Sequence, residues 1–289
     1  MTDRDRSGSG PRDPRGRSTF VVLAGGNSRR MGREKAFLRV GGREMLDRVL
    51  EAGRPSCSEA VLAVGEPGPY TDALRRYGWE PAAGPSEPDP GSPRFRRGGV
   101  ELRLVADRRP GLGPVAGLEA GLAAAGGPLC FAAACDLPFL RTTVVAALLR
   151  RLDALRDGTE GREALAVVPR AGGRRHPLAA AYTVGCADAA RRCLEAGELS
   201  MADFLGRLDR VREVEAAELA PGEVGGDGAG GDPERALVNV NRPDELRDAR
   251  RRLAREEAPA GETIHDRETA PGRGTAPGGE DAPGREGET

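Results

Sequence analysis

The chain has 289 residues, 38% of them hydrophobic, with 44 Lys and Arg against 45 Asp and Glu for a formal net charge of -1. That length suits one sizeable core, and the near-balance of charge excludes a global electrostatic attraction to nucleic acid or an acidic membrane surface, so any anion site must be local. No stretch approaches the roughly 20 apolar residues of a membrane span, and the charged opening MTDRDRSGSGPRDPRGRS lacks the apolar segment of a secretory signal.

The 42 glycines and 23 prolines are unevenly distributed. They crowd into residues 1–18, 81–99, 221–233 and 257–289. The two ends lack the apolar content to offset chain entropy and read as disordered tails over 1–18 and 257–289. The inner stretches read as flexible inserts, about 81–99 and 221–233, within one domain over 19–256.

In chain order, TFVVLA (19–24) is a continuous apolar, β-branched run ending in glycines, the pattern of a buried parallel strand. The loop LAGGNSRRMGREK follows. REMLDRVLEAG (43–53) sets Met45, Leu46, Val49 and Leu50 on one helical face. EAVLAVG (59–65) is strand-like and YTDALRRYG (70–78) helical. VELRLVAD (100–107) alternates as a strand, and GPVAGLEAGLAAAGG (113–127) reads as a helix with proline in its first turn and glycines past its end. LCFAAACD (129–136) is a buried strand, and TTVVAALLRRLDALRDG (142–158) an amphipathic helix. Four successive strand–helix units predict an α/β fold, a doubly wound and mostly parallel sheet with helices on both faces. A strand EALAVVPR (163–170), a segment RRHPLAAAYTV (174–184), two short helical pieces, VREVEAAE (211–218) and LVNVNRPDELRDARRRLARE complete the body.

Ligands in such sheets bind outside the carboxyl ends of the strands, which selects loops 24–35, 65–69, 107–113 and 136–140. In the first, Gly25 and Gly26 allow backbone N–H groups to approach a phosphate, and Arg29, Arg30 and Lys35 carry the charge to neutralise a triphosphate. The competing reading is a solvated basic loop. Neither GxGxxG nor GxxxxGK[ST] is present. Asp136, at the end of an apolar strand in CDLPFL, is either a turn cap or a hard oxygen ligand for Mg²⁺, an ion that needs only one or two carboxylates beside substrate phosphates. Asp107, in ADRRPGLGP, stands at another strand end, in a plain turn or a ligand site. Asn239 and Asn241 in NVNRPDEL alternate onto one strand face, where two amides suggest a polar site. The five cysteines contain no CxxC pair and read as reduced, with a cytoplasmic setting as the default. Of the two histidines, His265 lies in the tail, and His176 is given a structural role.

Taken in order, LAGGNSRRMGREKAFL, DRRPGLGPVAGLEAGL, CDLPFL and NVNRPDEL resemble the molybdenum cofactor guanylyltransferases, members of the Rossmann-like nucleotidyltransferases, over about 19–253. The resemblance implies transfer of GMP from GTP to the terminal phosphate of Mo-molybdopterin, with Mg²⁺ as cofactor and pyrophosphate released. It implies that Leu23, Ala24 and Gly25 contact the nucleotide largely through backbone, that Lys35 holds phosphate oxygens and that Asp107 binds the nucleoside end. Asp136 would carry Mg²⁺, with Asn241, beside Asn239, near metal or acceptor; Arg30 would contact pyrophosphate. Transient contact with molybdenum-insertion proteins or molybdoenzymes also follows. Two departures stand out: Glu34 replaces the usual aspartate before the lysine, and VGEPGP lacks an asparagine expected after the second strand. The rivals are a molybdopterin cytidylyltransferase, a sugar-phosphate nucleotidyltransferase, and a non-catalytic nucleotide-binding protein. LAGG with GPVAG favours the guanylyl branch, because the cytidylyl branch more often resembles LAAG; the extra methyl at Gly25 is expected to narrow the purine site.

Overall fold

The computed structural model describes residues 14–25, 34–82, 92–107, 109, 111–156, 163–219 and 232–257. Its centre is four parallel strands: β1 (Ser18–Leu23), β4 (Glu59–Val64), β7 (Val100–Ala106) and β8 (Leu129–Ala134), in the order β8-β1-β4-β7. All six residues of β1 are buried. Because successive strand side chains point to opposite faces, a strand covered on both sides must be apolar throughout, and STFVVL nearly is. Phe20 and Val22 pack with α1 (Met45–Gly53) and α4 (Thr142–Arg156). Val21 and Leu23 pack on the other face with α3 (Pro114–Ala123) and α5 (Cys186–Glu195). This is the doubly wound arrangement expected from the strand–helix alternation.

Helix α3 lies close to β1 because it lacks side chains where they meet. A Cβ added at Gly117 would come within 3.2 Å of Leu23 Cδ2, and one at Gly121 would overlap the Val21 side chain. The turn before α3 needs glycine for a different reason, since Gly113 has φ +81°.

The flanks differ from the sequence reading. Residues 174–184 fold back as β10 (Arg174–Arg175) and β11 (Ala179–Thr183); β11 lies antiparallel between β8 and β9 (Leu165–Ala171). Strand β12 (Arg210–Glu215) pairs parallel with β9. Part of the supposed insert at 81–99 is ordered sheet: β5 (Glu80–Pro81) and β6 (Arg94–Arg97) pair with each other, and β6 pairs antiparallel with β7. The segment before the last helix, read as a short strand, pairs with no strand among the described residues. Residues 1–13, 83–91, 220–231 and 258–289, hence most of both tails, about half of the first insert and most of the second, lie outside the described residues; Asp232 caps a short helix, α7 (Pro233–Ala236).

A third apolar cluster positions the site. Hairpin β2 (Arg39–Val40) to β3 (Arg43–Glu44), turned at Gly41 and Gly42 with φ 56° and 73°, offers Val40, and α1 offers Met45. Leu246, Ala249 and Leu253 of α8 (Pro243–Glu257) pack against these and against Phe139 of CDLPFL. The spacing i, i+3, i+7 makes this one face of α8. Three chain segments far apart in sequence thereby meet beside the end of β8. Among the described residues no helix is long and apolar enough to cross a membrane.

Candidate active site

Four residues stand in one row across the carboxyl ends of the central strands. Leu23 is paired with Ala134 on one side and Ala63 on the other, and Ala63 with Val105. Two positions further along each strand come Asp136, Gly25, Gly65 and Asp107. The ladder continues past the strand ends through Cys135 N to Leu23 O at 3.0 Å, Ala24 N to Ala63 O at 2.9 Å and Asp107 N to Val64 O at 2.7 Å. At about 4.8 Å per strand, Asp136 and Asp107 are roughly 14 Å apart, a span on the scale of a nucleoside triphosphate.

Lys35 opens a short 3-10 turn, Lys35–Phe37. Its Nζ donates to Asn241 Oδ1 at 2.6 Å and lies 3.6 Å from Asp136 Oδ2. Asp136 is gripped twice more: Asn239 Nδ2 donates to Oδ1 at 2.6 Å, and Val240 N donates to its main-chain oxygen at 2.9 Å. That last bond ties the segment before α8 to the residues after β8 through the main chain. Glu245 then caps α8, its carboxylate accepting from Asn241 N at 2.6 Å and Arg242 N at 3.0 Å, the glutamate half of a capping box. The cap, the apolar stripe of α8 and the Val240 bond together set Asn241 opposite Lys35.

Burial raises the Asp136 carboxyl above its ordinary range, while Asn239 and Lys35 pull against that shift. The neighbouring Cys135 thiol is pushed far up by burial and by Asp136, and so stays protonated. A mostly buried carboxylate oxygen and an amide oxygen thus converge on one cation, the Lys35 ammonium. No group of three or more His, Cys, Asp or Glu able to hold a metal occurs among the described residues. Such a donor set does not suit zinc, which takes three or four nitrogen or sulfur-rich ligands. It does suit Mg²⁺, which binds through one or two carboxylates and substrate phosphates: Asp136 Oδ2 and Asn241 Oδ1 are the oxygens that would hold it.

Leu23 and Ala24 are buried and Gly25 is exposed. Ala24 uses its N–H toward Ala63 and its carbonyl toward Tyr70, so Gly25 is the residue of the three that faces solvent. A Cβ at Gly25 would meet Gly65 N at 3.2 Å and the Val64 carbonyl carbon at 3.5 Å, so this glycine permits a close approach to the end of β4. Asp107 accepts from Arg109 N at 2.8 Å in a tight turn. Gly26, Arg29 and Arg30 lie outside the described residues. His176 is half-buried, its backbone N–H bonded to Pro169 O at 2.9 Å. Tyr70, read from sequence only as part of a helix, proves to reach the site: its hydroxyl bonds both the Ala24 carbonyl and the Glu34 carboxylate.

The sequence and fold have relatives. The MobA-like NTP transferase domain matches residues 20–211. A probable molybdenum cofactor guanylyltransferase of Pelotomaculum thermopropionicum is 32% identical over 235 residues, covering 81% of this chain and 92% of the relative. A molybdenum cofactor guanylyltransferase of Cereibacter sphaeroides is 30% identical over 231 residues, covering 78% and 92%. In fold, the chain is similar to the crystal structure of molybdopterin-guanine dinucleotide biosynthesis protein A from Archaeoglobus fulgidus, with a TM-score of 0.59 at 24% identity over 82% of this chain and 99% of that one.

Proposed function

The chain belongs to the MobA-like NTP transferases, with molybdenum cofactor guanylyltransferases among its relatives, and on that premise we propose that it transfers GMP from GTP to Mo-molybdopterin in a Mg²⁺-dependent reaction. The observation that carries this reading is the convergence of Asp136 Oδ2 and Asn241 Oδ1 on the Lys35 ammonium, at one end of the row that finishes at Asp107.

In the proposed reaction a terminal phosphate oxygen of the acceptor attacks the α-phosphorus of GTP. The new P–O bond forms as the bond to the β-phosphate breaks, and pyrophosphate departs with that electron pair. Such a displacement needs little covalent help; positioning and charge neutralisation carry the rate. Lys35 holds phosphate oxygens, and Gly25 brings the exposed backbone close to the triphosphate. Asp107 takes the nucleoside end, three strands away. Asp136 with Asn241 holds the cation, which when bound neutralises charge on the phosphates. Arg30, outside the described residues, is the residue the family pattern assigns to pyrophosphate. A reducing cytoplasmic location agrees with five free cysteines, four of them buried, and brief contact with the proteins that insert or use the finished cofactor completes the proposal.

The test is incubation with each labelled nucleoside triphosphate, Mg²⁺ and the molybdopterin acceptor, followed by pyrophosphate measurement. Release is expected with GTP and dependent on both Mg²⁺ and acceptor; no release with any nucleotide overturns the reading.

A further inference from the structure

Tyr70 lies on α2 (Pro67–Arg76), the helix that follows β4, and is 1% exposed. Its ring packs on Phe37 with centroids 5.1 Å apart. Its hydroxyl reaches two acceptors on different segments, the Ala24 carbonyl and the Glu34 carboxylate. Ala24 immediately precedes Gly25, and Glu34 immediately precedes Lys35. The two residues tied by this one hydroxyl are therefore the neighbours of the two residues that the reaction places against phosphate.

We propose that Tyr70 is a positioning residue for nucleotidyl transfer, a role that rests on the reading above: by bonding Ala24 and Glu34 together it sets the Lys35 ammonium and the Gly25 backbone at a fixed separation. The bland alternative is a core tyrosine whose hydroxyl needs a partner. One acceptor satisfies that need, since a phenol has a single hydrogen, and Ala24 O alone supplies it. Here that hydrogen is shared with a carboxylate from the far side of the loop. Burial and the Glu34 bond push the phenol far above its ordinary range, so it stays a donor throughout the working pH range. Ala24–Gly25 is held on its other side by the end of β4, through Ala24 N to Ala63 O at 2.9 Å and the tight approach of Gly25 to Gly65 N. Glu34 in turn anchors the turn that carries Lys35, with Phe37 N bonded to Glu34 O at 3.2 Å. Without the hydroxyl, the Lys35 turn keeps its side-chain bond to Asn241 but loses its tie to the first strand.

The experiment is a double-mutant cycle on the full chain between Tyr70→Phe and Lys35→Ala, read by calorimetric binding of Mg²⁺–GTP, by steady-state kinetics and by melting temperature. Phenylalanine keeps the ring against Phe37. Tyr70→Phe is expected to weaken GTP binding and lower kcat/KM for GTP about tenfold, the scale of one good hydrogen bond, with KM for the acceptor unchanged. In the Lys35→Ala background the same substitution is expected to change GTP binding very little, because it acts through Lys35. Equal losses in both backgrounds, or no loss in either, overturn the positioning role while leaving the proposed function standing. A wild-type protein that binds no nucleoside triphosphate overturns both. If Tyr70→Phe does not fold, Glu34→Ala removes the other end of the same tie and carries the same expectations.

Discussion

Asn239 donates its amide to Asp136 across 103 residues of chain, Nδ2 to Oδ1 at 2.6 Å, while the next residue bonds the Asp136 main chain. One carboxylate oxygen is thereby occupied, and the other, Oδ2, faces Lys35 at 3.6 Å. Asn239 thus decides which oxygen is available to a cation. Replacing it with alanine is expected to lower turnover about 10–100-fold, the usual cost of removing a group that orients a metal ligand, and to raise the Mg²⁺ concentration needed for half-maximal rate. Unchanged Mg²⁺ dependence in Asn239→Ala contradicts this role.

Asp136→Asn is expected to lower turnover by a factor on the order of 100 or more without lowering the melting temperature at neutral pH. The sign follows from burial. The carboxyl has a folded-state pKa above its unfolded value, so its ionisation costs stability once pH rises past the unfolded value, and a neutral amide relieves that cost. Near-normal turnover with the same Mg²⁺ dependence contradicts the assignment.

His176 gives a prediction that does not depend on activity. Burial first, and then Arg174, lower its pKa below the ordinary value near 6.5. The unfolded chain therefore binds a proton that the folded chain resists, and stability is lost as pH falls from about 6.5 toward the folded pKa. His176→Asn should lose less melting temperature than the wild type between about pH 7.5 and about pH 5.5. Equal losses in the two proteins exclude His176 as a source of the acid sensitivity.

Gly121→Ala tests the packing of α3 on β1. The added methyl overlaps Val21, and overpacking of this kind costs about 1–3 kcal/mol. Urea denaturation measures it; an unchanged midpoint shows that α3 can move away freely.

Much of this was legible in the chain because strands buried on both faces must be apolar throughout and loops at their carboxyl ends are free to carry function. TFVVLA and LCFAAACD declare the central strands, and the residues just past them, Gly25 and Asp136, stand in one row for that reason. Local pattern does not name a strand's neighbour, so β11 gave no sign of turning antiparallel between β8 and β9. Proline and glycine around 81–99 hid β6, whose Arg94–Arg97 pairs along β7. Asn239 and Asn241 both reach the site, but from a segment that pairs with no strand among the described residues and is tied to Asp136 through the Val240 main chain, which local pattern does not show. Tyr70 was invisible as a site residue, because an aromatic in an amphipathic helix reads as core until its hydroxyl is seen between two loop segments.

If the chain transfers GMP, it discriminates between nucleotide donors, and the ratio of kcat/KM for GTP to that for CTP with the same molybdopterin acceptor measures this. Discrimination is expected from the space over the row, where Gly25 carries no methyl, and from backbone groups left unpaired by the wrong base. Shape worth one to three kcal/mol gives a ratio of roughly 10–200. A ratio well above one in favour of GTP is the predicted result; a ratio at or below one contradicts it and moves the protein out of the guanylyl branch.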